Sequence, residues 1–149
     1  MGFDLSAHTV GITNVFLNDA TLLADLGGTG DGLANERLYD TKAIQTPTSP
    51  YAVFQFIASD TERTFDKIIE LSSWQFSVFN QNIRNPLNKA IINSTFNKLT
   101  DAYDDAEATM VISGYSVTWV TRGASFFLPT EDGTQQLVTT YSIRTEKAR

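Results

Sequence analysis

The stretch YAVFQFIASDTERTFDKIIELSSWQFSVF, Tyr51 to Phe79, decides the fold. Its first eight residues, Tyr51 to Ala58, are mostly β-branched, aromatic or otherwise apolar and read as a well-buried strand. Its last nine, Leu71 to Phe79, alternate: Trp74, Phe76 and Val78 fall on one side of a strand, with Ser73, Gln75 and Ser77 on the other. Between them the polar run Ser59 to Lys67 is long enough for a protruding hairpin loop. A hairpin of this kind seeds a sheet, and the remaining segments are read around it.

Upstream, Asp4 to Leu26 spaces Val10, Ile12, Val15, Phe16, Leu22, Leu23 and Leu26 at recurring offsets of three and four, the mark of one helix face. Asn18 and Asp19 interrupt that pattern, and a side-chain oxygen there caps a second short helix. Gly27-Gly28 stops it, since glycine takes the left-handed conformation cheaply, and GGTGDG, Gly27 to Gly32, is a flexible loop. A short strand, Arg37 to Lys42, and a Thr/Pro/Ser turn, Gln45 to Pro50, lead into the hairpin. Downstream, Asn85-Pro86 opens a helix whose face carries Leu87, Ile91, Ile92, Phe96 and Leu99 and which runs to about Tyr103. Asp101, Asp104, Asp105 and Glu107 sit where the helix dipole disfavours acid, so the helix stops before most of them.

Two or three strands close the chain: Met110 to Ile112, Gly114 to Thr121 and Gln136 to Thr145. GASFFLPTEDGT separates the last two, with a turn at Asp132-Gly133, and Leu137, Tyr141 and Ile143 share a face of the last strand. The order predicts an α+β fold, a mixed or antiparallel sheet of about five strands with helices packed on one side, as a single domain over residues 1–149.

A chain of this length builds a core without metal or disulfide. Zero cysteines exclude a disulfide scaffold, a thiol nucleophile, an iron–sulfur cluster and a zinc ribbon, and one histidine excludes a multi-histidine metal site. No apolar run approaches the ~18 residues of a membrane span. The opening MGFDLSAHTVG lacks the basic start and apolar stretch of a secretory signal, so a soluble intracellular protein is expected. A net charge of −6 argues against binding nucleic acid through its phosphates.

No catalytic constellation stands out. His8 has no orienting partner that spacing reveals and reads as an ordinary surface or partly buried histidine. GGTGDG lies between a helix and a strand, the reverse of a dinucleotide fingerprint, and no Gly-Lys-Ser/Thr follows, so it reads as a connector. DAYDDAEA, Asp101 to Ala108, lacks the glycine and terminal glutamate of an EF-hand and reads as a solvated charged loop. The sequon Asn93-Ser94-Thr95 falls inside the predicted helix and is discounted. Trp74 and Trp119 sit in strand patterns and read as core residues rather than stacking platforms. Arg144, Lys147 and Arg149 are too few for a nucleic-acid groove. No cofactor is expected.

The order of pieces resembles the tail-completion (tail-terminator) proteins of long-tailed bacteriophages. The match runs from LNDATLLADLGG, Leu17 to Gly28, through Arg37-Leu38-Tyr39 and the proline-flanked PTSPYAVFQF, Pro47 to Phe56, to WQFSVF, Trp74 to Phe79, a helix and closing strands. It spans about Leu17 to Arg144, and Ser-Pro-Tyr before an apolar strand is its best single feature. The chain departs from the pattern in the GGTGDG loop, the acidic insert at Asp101 to Ala108 and the FFLP segment at Phe126 to Pro129.

The resemblance implies a non-enzymatic virion protein, a homohexameric ring on the end of the tail tube. There it would stop polymerisation and meet the head–tail connector, with genomic DNA only passing through the lumen and no membrane partner. Assembly would take place in the host cytoplasm. An acidic lumen would repel phosphates and let the genome slide. The contact loops expected are Gly27, Gly28, Thr29, Gly30, Asp31 and Gly32, and Asp60, Thr61, Glu62, Arg63 and Thr64 in the hairpin, because long polar loops in compact domains are often functional. The alternative is a small α+β enzyme or ligand-binding domain, whose sign would be a deep pocket with convergent polar groups and perturbed carboxylates.

Overall fold

In the computed structural model residues 3–28, 32, 36–45, 47–82, 85, 88–129 and 132–149 are described. The first helix, α1 (Leu5–Leu17), is capped by Asp4, whose carboxylate accepts from the Ala7 N–H at 3.0 Å. Asp19 does the same for α2 (Ala20–Leu26), accepting from the Leu22 N–H at 2.9 Å. The pause expected at Asn18-Asp19 is therefore a cap-to-cap junction: the Asn18 and Asp19 N–H groups donate to the Asn14 and Phe16 carbonyls of α1, and the Asp19 carboxylate satisfies a donor of α2.

Among the described residues five strands make one sheet: β1 (Leu38–Asp40), β2 (Tyr51–Arg63), β3 (Lys67–Gln81), β4 (Ser116–Pro129) and β5 (Thr134–Ala148). Their spatial order is β1-β2-β3-β5-β4, with β1 parallel to β2 and every other pair antiparallel. The third helix, α3 (Ala90–Tyr103), and a short 3-10 turn (Ala106–Ala108) stand between β3 and β4. This is the α+β single sheet expected.

Cross-strand register sorts the two faces. Phe54, Trp74, Phe76, Val78, Tyr141 and Ile143 face the helices and are nearly solvent-free, joined by Phe16, Leu22, Leu26, Ile92 and Leu99 from α1, α2 and α3. Tyr103 ties the layers: its hydroxyl donates to the Ile12 carbonyl at 2.7 Å while its ring lies 4.7 Å from Phe76. Burial holds both the Tyr103 and Tyr141 hydroxyls protonated, pushing their pKa values well above the usual phenol range. The opposite face carries Ser73, Gln75, Ser77, Thr140 and Ser142, and none of the described helices packs over it.

Several boundaries differ from expectation. Ser59 to Lys67 is not a loop: β2 runs to Arg63, β3 starts at Lys67, and only Thr64 to Asp66 turns. Glu70 and Ser72 are held by backbone pairing on both sides, so polar side chains do not end the strand. GASFFLP likewise belongs to β4, paired with β5 from Ser125↔Thr139 to Pro129↔Gln135. Met110 to Ile112 forms no strand; the Met110 N–H donates to the Ala106 carbonyl at 2.8 Å, and Met110 and Ile112 are buried as irregular chain. The first strand is Leu38–Asp40, shorter than Arg37 to Lys42, because its pairing with β2 covers only Ala52 to Phe54. The third helix begins at Ala90 rather than Asn85-Pro86; the Asn88 carboxamide accepts from the Ala90 N–H at 3.0 Å, and Pro86 and Leu87 lie outside the described residues. It ends at Tyr103, before Asp104, Asp105 and Glu107, as dipole electrostatics required.

Candidate assembly surfaces

The hairpin of β2 and β3 is a stiff arm. Beyond Ala58 it pairs without a break to Arg63↔Ile68, while β3 pairs with β5 as far as Lys67↔Ala148. The turn closes through the Thr64 N–H donating to the Lys67 carbonyl at 2.9 Å and the Lys67 N–H donating to the Thr64 hydroxyl at 3.1 Å. The C-terminus locks it: the Arg149 N–H reaches the Asp66 carbonyl at 2.9 Å and its guanidinium reaches the Thr64 carbonyl at 3.0 Å. Alongside, Glu146 accepts from Lys67 at 3.0 Å and from Arg144 at 2.6 Å. Those two cations hold its carboxyl below the usual carboxylate range.

Of the predicted contact residues in this segment, Asp60, Thr61, Glu62 and Arg63 are therefore strand residues of the arm, and Thr64 opens its turn. Thr61 is engaged, its hydroxyl donating to the buried Glu70 carboxylate at 2.8 Å. At the tip stands Phe65, 98% exposed, where an aromatic ring gains nothing from the fold. Sequence reasoning passed over it, although it is the one aromatic residue within the polar run SDTERTFDK.

The glycine loop is placed in part. The Gly27 N–H closes α2 on the Leu23 carbonyl at 2.7 Å, and the Gly28 N–H donates to the Glu36 carboxylate. Gly32 donates to the Glu36 carbonyl at 2.9 Å, and a Cβ there would lie 2.3 Å from that same oxygen, so only glycine fits the approach to β1. Thr29, Gly30 and Asp31 lie outside the described residues. The three described glycines thus bind the α2–β1 connection together.

His8 is fully buried: Nδ1 lies 2.8 Å from the Asp4 carbonyl and Nε2 3.4 Å from the Thr145 hydroxyl, with Tyr115 edge-on at 5.0 Å. Desolvation pushes its pKa below 6.5, so it is a neutral core residue. In the acidic segment, Asp104 accepts from the Tyr141 hydroxyl at 2.7 Å and pairs with Arg122 at 3.4 Å, which makes it a link from α3 to the sheet. Asp19, Asp101, Asp104 and Asp105 border an open cleft of about 490 Å³. Among the described residues no group of three His, Asp or Glu side chains is placed to hold a metal ion. No described helix is long and apolar enough to cross a membrane.

Trp74 lies in the core, donating from its indole to the Ser72 hydroxyl at 3.0 Å. Trp119 does not: it stands half-buried on the open face, paired across with Arg144 beside a bulge. Arg144, Lys147 and Arg149 are all used internally, Lys147 lying over the Tyr115 ring at 4.9 Å. Two grooves of about 420 and 410 Å³ flank the start of α3. The first is spanned by Lys98 and Asp25 at 2.7 Å, and the second is lined by Phe127, Leu137 and Lys89.

β4 is the second exposed element. It forms one margin of the sheet, residues 121–126 and Leu128 are solvent-exposed, and Phe126 and Leu128 are 49% and 43% exposed. The apolar run FFLP within a presumed loop was the signal for it.

No family model matches the chain, and no curated sequence matches it. Among solved structures it is similar to a chain of the virion of a native gene transfer agent (GTA) particle. That alignment covers 96% of this chain and 99% of that one, with a TM-score of 0.66 and 14% identity. A second solved structure, known only by a sequence designation, covers 95% of this chain with 96% of its own length, at a TM-score of 0.52 and 16% identity. At these identities the likeness is one of fold, shared over nearly the full length of each chain.

Proposed function

We propose that this chain is a structural protein of a phage-like virion. In this reading it closes as a ring on the end of the tail tube, terminates tube polymerisation and presents a surface to the head–tail connector. The observation that carries the proposal is the full-length match to a chain of a gene transfer agent virion, in which almost nothing of either chain is left over.

The arm and the β4 margin add to that support, because function in such a protein is carried by interfaces and both elements project beyond the helix-covered core. A closed ring needs a head-to-tail contact whose rotation returns on itself. Asp60 to Thr64, with Phe65, are the arm's contact residues in this reading, and the Gly27 to Gly32 loop a second contact. Its partners are further copies of itself, six in the closed ring, the tail tube protein and the connector protein. Its place is the head–tail junction. Each copy carries a net charge of −6, so a ring of copies repels DNA phosphates and lets the genome slide through. A positive surface potential along the central channel would defeat that last point.

The test is electron microscopy of tail tubes incubated with the purified protein, with mass measurement of the protein alone and on tubes. Rings at tube ends and arrested elongation are expected. Persistent monomers that neither bind tubes nor stop their growth would overturn the reading. A monomer in the absence of tubes is compatible with it, since a ring can close on its template.

A further inference from the structure

We propose that the outer edge of β4 pairs antiparallel with the free edge of β2 in a second copy of this chain, so that copies join head to tail through a continuous sheet. This rests on the ring reading above and names its contact. β4 is one margin of the sheet. At the other margin β1 covers only Ala52 to Phe54, and from Phe56 to Arg63 the outward backbone of β2 has no partner among the described residues.

Alternation says which groups are free. The Ala52 N–H donates outward to the Arg37 carbonyl at 2.9 Å, and the Phe54 carbonyl accepts outward from the Thr41 N–H at 2.7 Å. The bulge between Phe56 and Ala58 then turns Ser59, Thr61 and Arg63 outward. On β4, the register with β5 leaves Val120, Arg122, Ser125 and Phe127 outward. β2 and β4 run in opposite senses through two intervening strands, so setting β4 beside the β2 of a neighbour in the same orientation gives an antiparallel pair.

Exposed apolar residues stand beside both edges. The β4 edge carries one charge, Arg122, among exposed apolar residues, and Lys89 lies over the adjoining Phe127 ring at 4.7 Å. The free half of β2 carries exposed Asp60, Glu62 and Arg63, bracketed by Ile57 and Phe65, 49% and 98% exposed. The alternation sets Arg122 against Thr61 and, past the β4 bulge between Arg122 and Ser125, Ser125 against Ser59, which brings Phe126 to Ala58 on the uncovered face. Soluble proteins normally guard a long sheet margin with lysines or a covering segment. Of β4's fourteen residues only Arg122 is charged, although two bulges interrupt the strand.

The chain has no cysteine, which makes the contact directly testable by cross-linking. Ala58→Cys and Phe126→Cys proteins, mixed on tail tubes under mild oxidation, should form disulfide-linked dimers, while neither variant alone should. Dimers from Phe126→Cys alone would instead show a two-fold β4–β4 contact and overturn the proposal. Rings at tube ends without mixed cross-links would overturn it too, while leaving the ring reading standing. Mixed cross-links without rings would support the contact and sink the ring.

Ser125→Pro is the second variant. It removes an outward N–H at an edge, where the monomer tolerates proline, and should weaken association about tenfold, as loss of a backbone hydrogen bond implies. Its melting temperature reports folding independently. Unchanged association of a folded Ser125→Pro protein would overturn the proposal.

Discussion

Replacing Phe65 with serine separates folding from assembly. The ring is 98% exposed at the tip of the arm, so the folded chain has almost no contact to lose. The change in stability should stay within about 0.5 kcal/mol, the range of surface substitutions away from special features. For a chain of this size that is a melting shift of roughly 1–2 °C. Docking of the arm against a neighbour is different. Full burial of a phenylalanine side chain contributes about 1.5–3 kcal/mol, so its loss weakens each contact by roughly 10- to 150-fold. Phe65→Leu, which keeps much of the apolar area, should fall between the two. Calorimetry on the isolated protein gives the first quantity, and co-sedimentation with tail tubes across a concentration series gives the second. The reasoning fails if Phe65→Ser lowers the melting temperature by more than about 4 °C, a full kcal/mol, since the ring would then pack in the folded monomer. It fails equally if binding to tubes is unchanged.

Tyr103→Phe should cost about 1 kcal/mol, because it removes one hydrogen bond to a carbonyl inside α1. Tyr103→Ala also opens a cavity beside Phe76 and should cost about 3–5 kcal/mol; equal thermal shifts for the two would refute this division. Gly11→Ala, favourable on helix propensity alone, should destabilise. Its Cβ would sit 2.7 Å from Ile112 Cγ1 and 2.9 Å from the Val111 carbonyl oxygen, and overpacking of this kind costs about 1–3 kcal/mol. A rise in melting temperature would show that the Val111–Ile112 segment gives way. His8 binds its proton less readily folded than unfolded, so its contribution to stability is complete above pH 6.5 and is lost as pH falls toward the lower folded value. The slope approaches about 1.4 kcal/mol per pH unit. Melting temperatures measured across that window should fall with acidity in the native protein and fall less in His8→Gln; parallel profiles would remove His8 as the cause.

Legibility followed the helix layer. Val15, Phe16 and Leu22 betrayed α1 and α2, and Trp74, Phe76 and Val78 betrayed the middle of β3, because each packs into the one core and must be apolar at the period of its element. Outside that cover the rule lapses. From Ser59 to Glu70 the strands are held by ladder hydrogen bonds, and their side chains face water or one another, as Thr61 faces Glu70. A polar stretch held in this way has no periodic signature, and so the arm read as a loop. β4 failed for the converse reason: Phe126 and Phe127 are consecutive, so one must point away from the helices, and two-sided apolarity looks like neither a half-buried strand nor a helix. The end of α3 was legible from electrostatics instead, since Asp104 and Asp105 could not continue a helix whose C-terminus is already negative.

The misread segments and the candidate contact surfaces are the same pieces of chain, for one physical reason. A strand that runs past its own core has no internal partner for its outer backbone or its apolar side chains, so its sequence is free of the constraint that makes core strands recognisable. Such free strands carry a hazard, an open ladder that any exposed strand can join. Natural chains tolerate it where a specific partner takes up the edge. The arm is stiffened by Arg149 and by the Lys67–Glu146–Arg144 chain rather than left to fold back over the sheet. Rigidity in a projecting element lowers the entropy lost when it is ordered against a neighbour. If the arm served only to cap its own sheet, cutting those ties would change stability alone. As an assembly element it should respond differently: Glu146→Gln, which weakens both ion pairs, should reduce association with tail tubes more than it reduces the melting temperature. Proportionate loss of the two in one titration series would return the arm to a purely structural role.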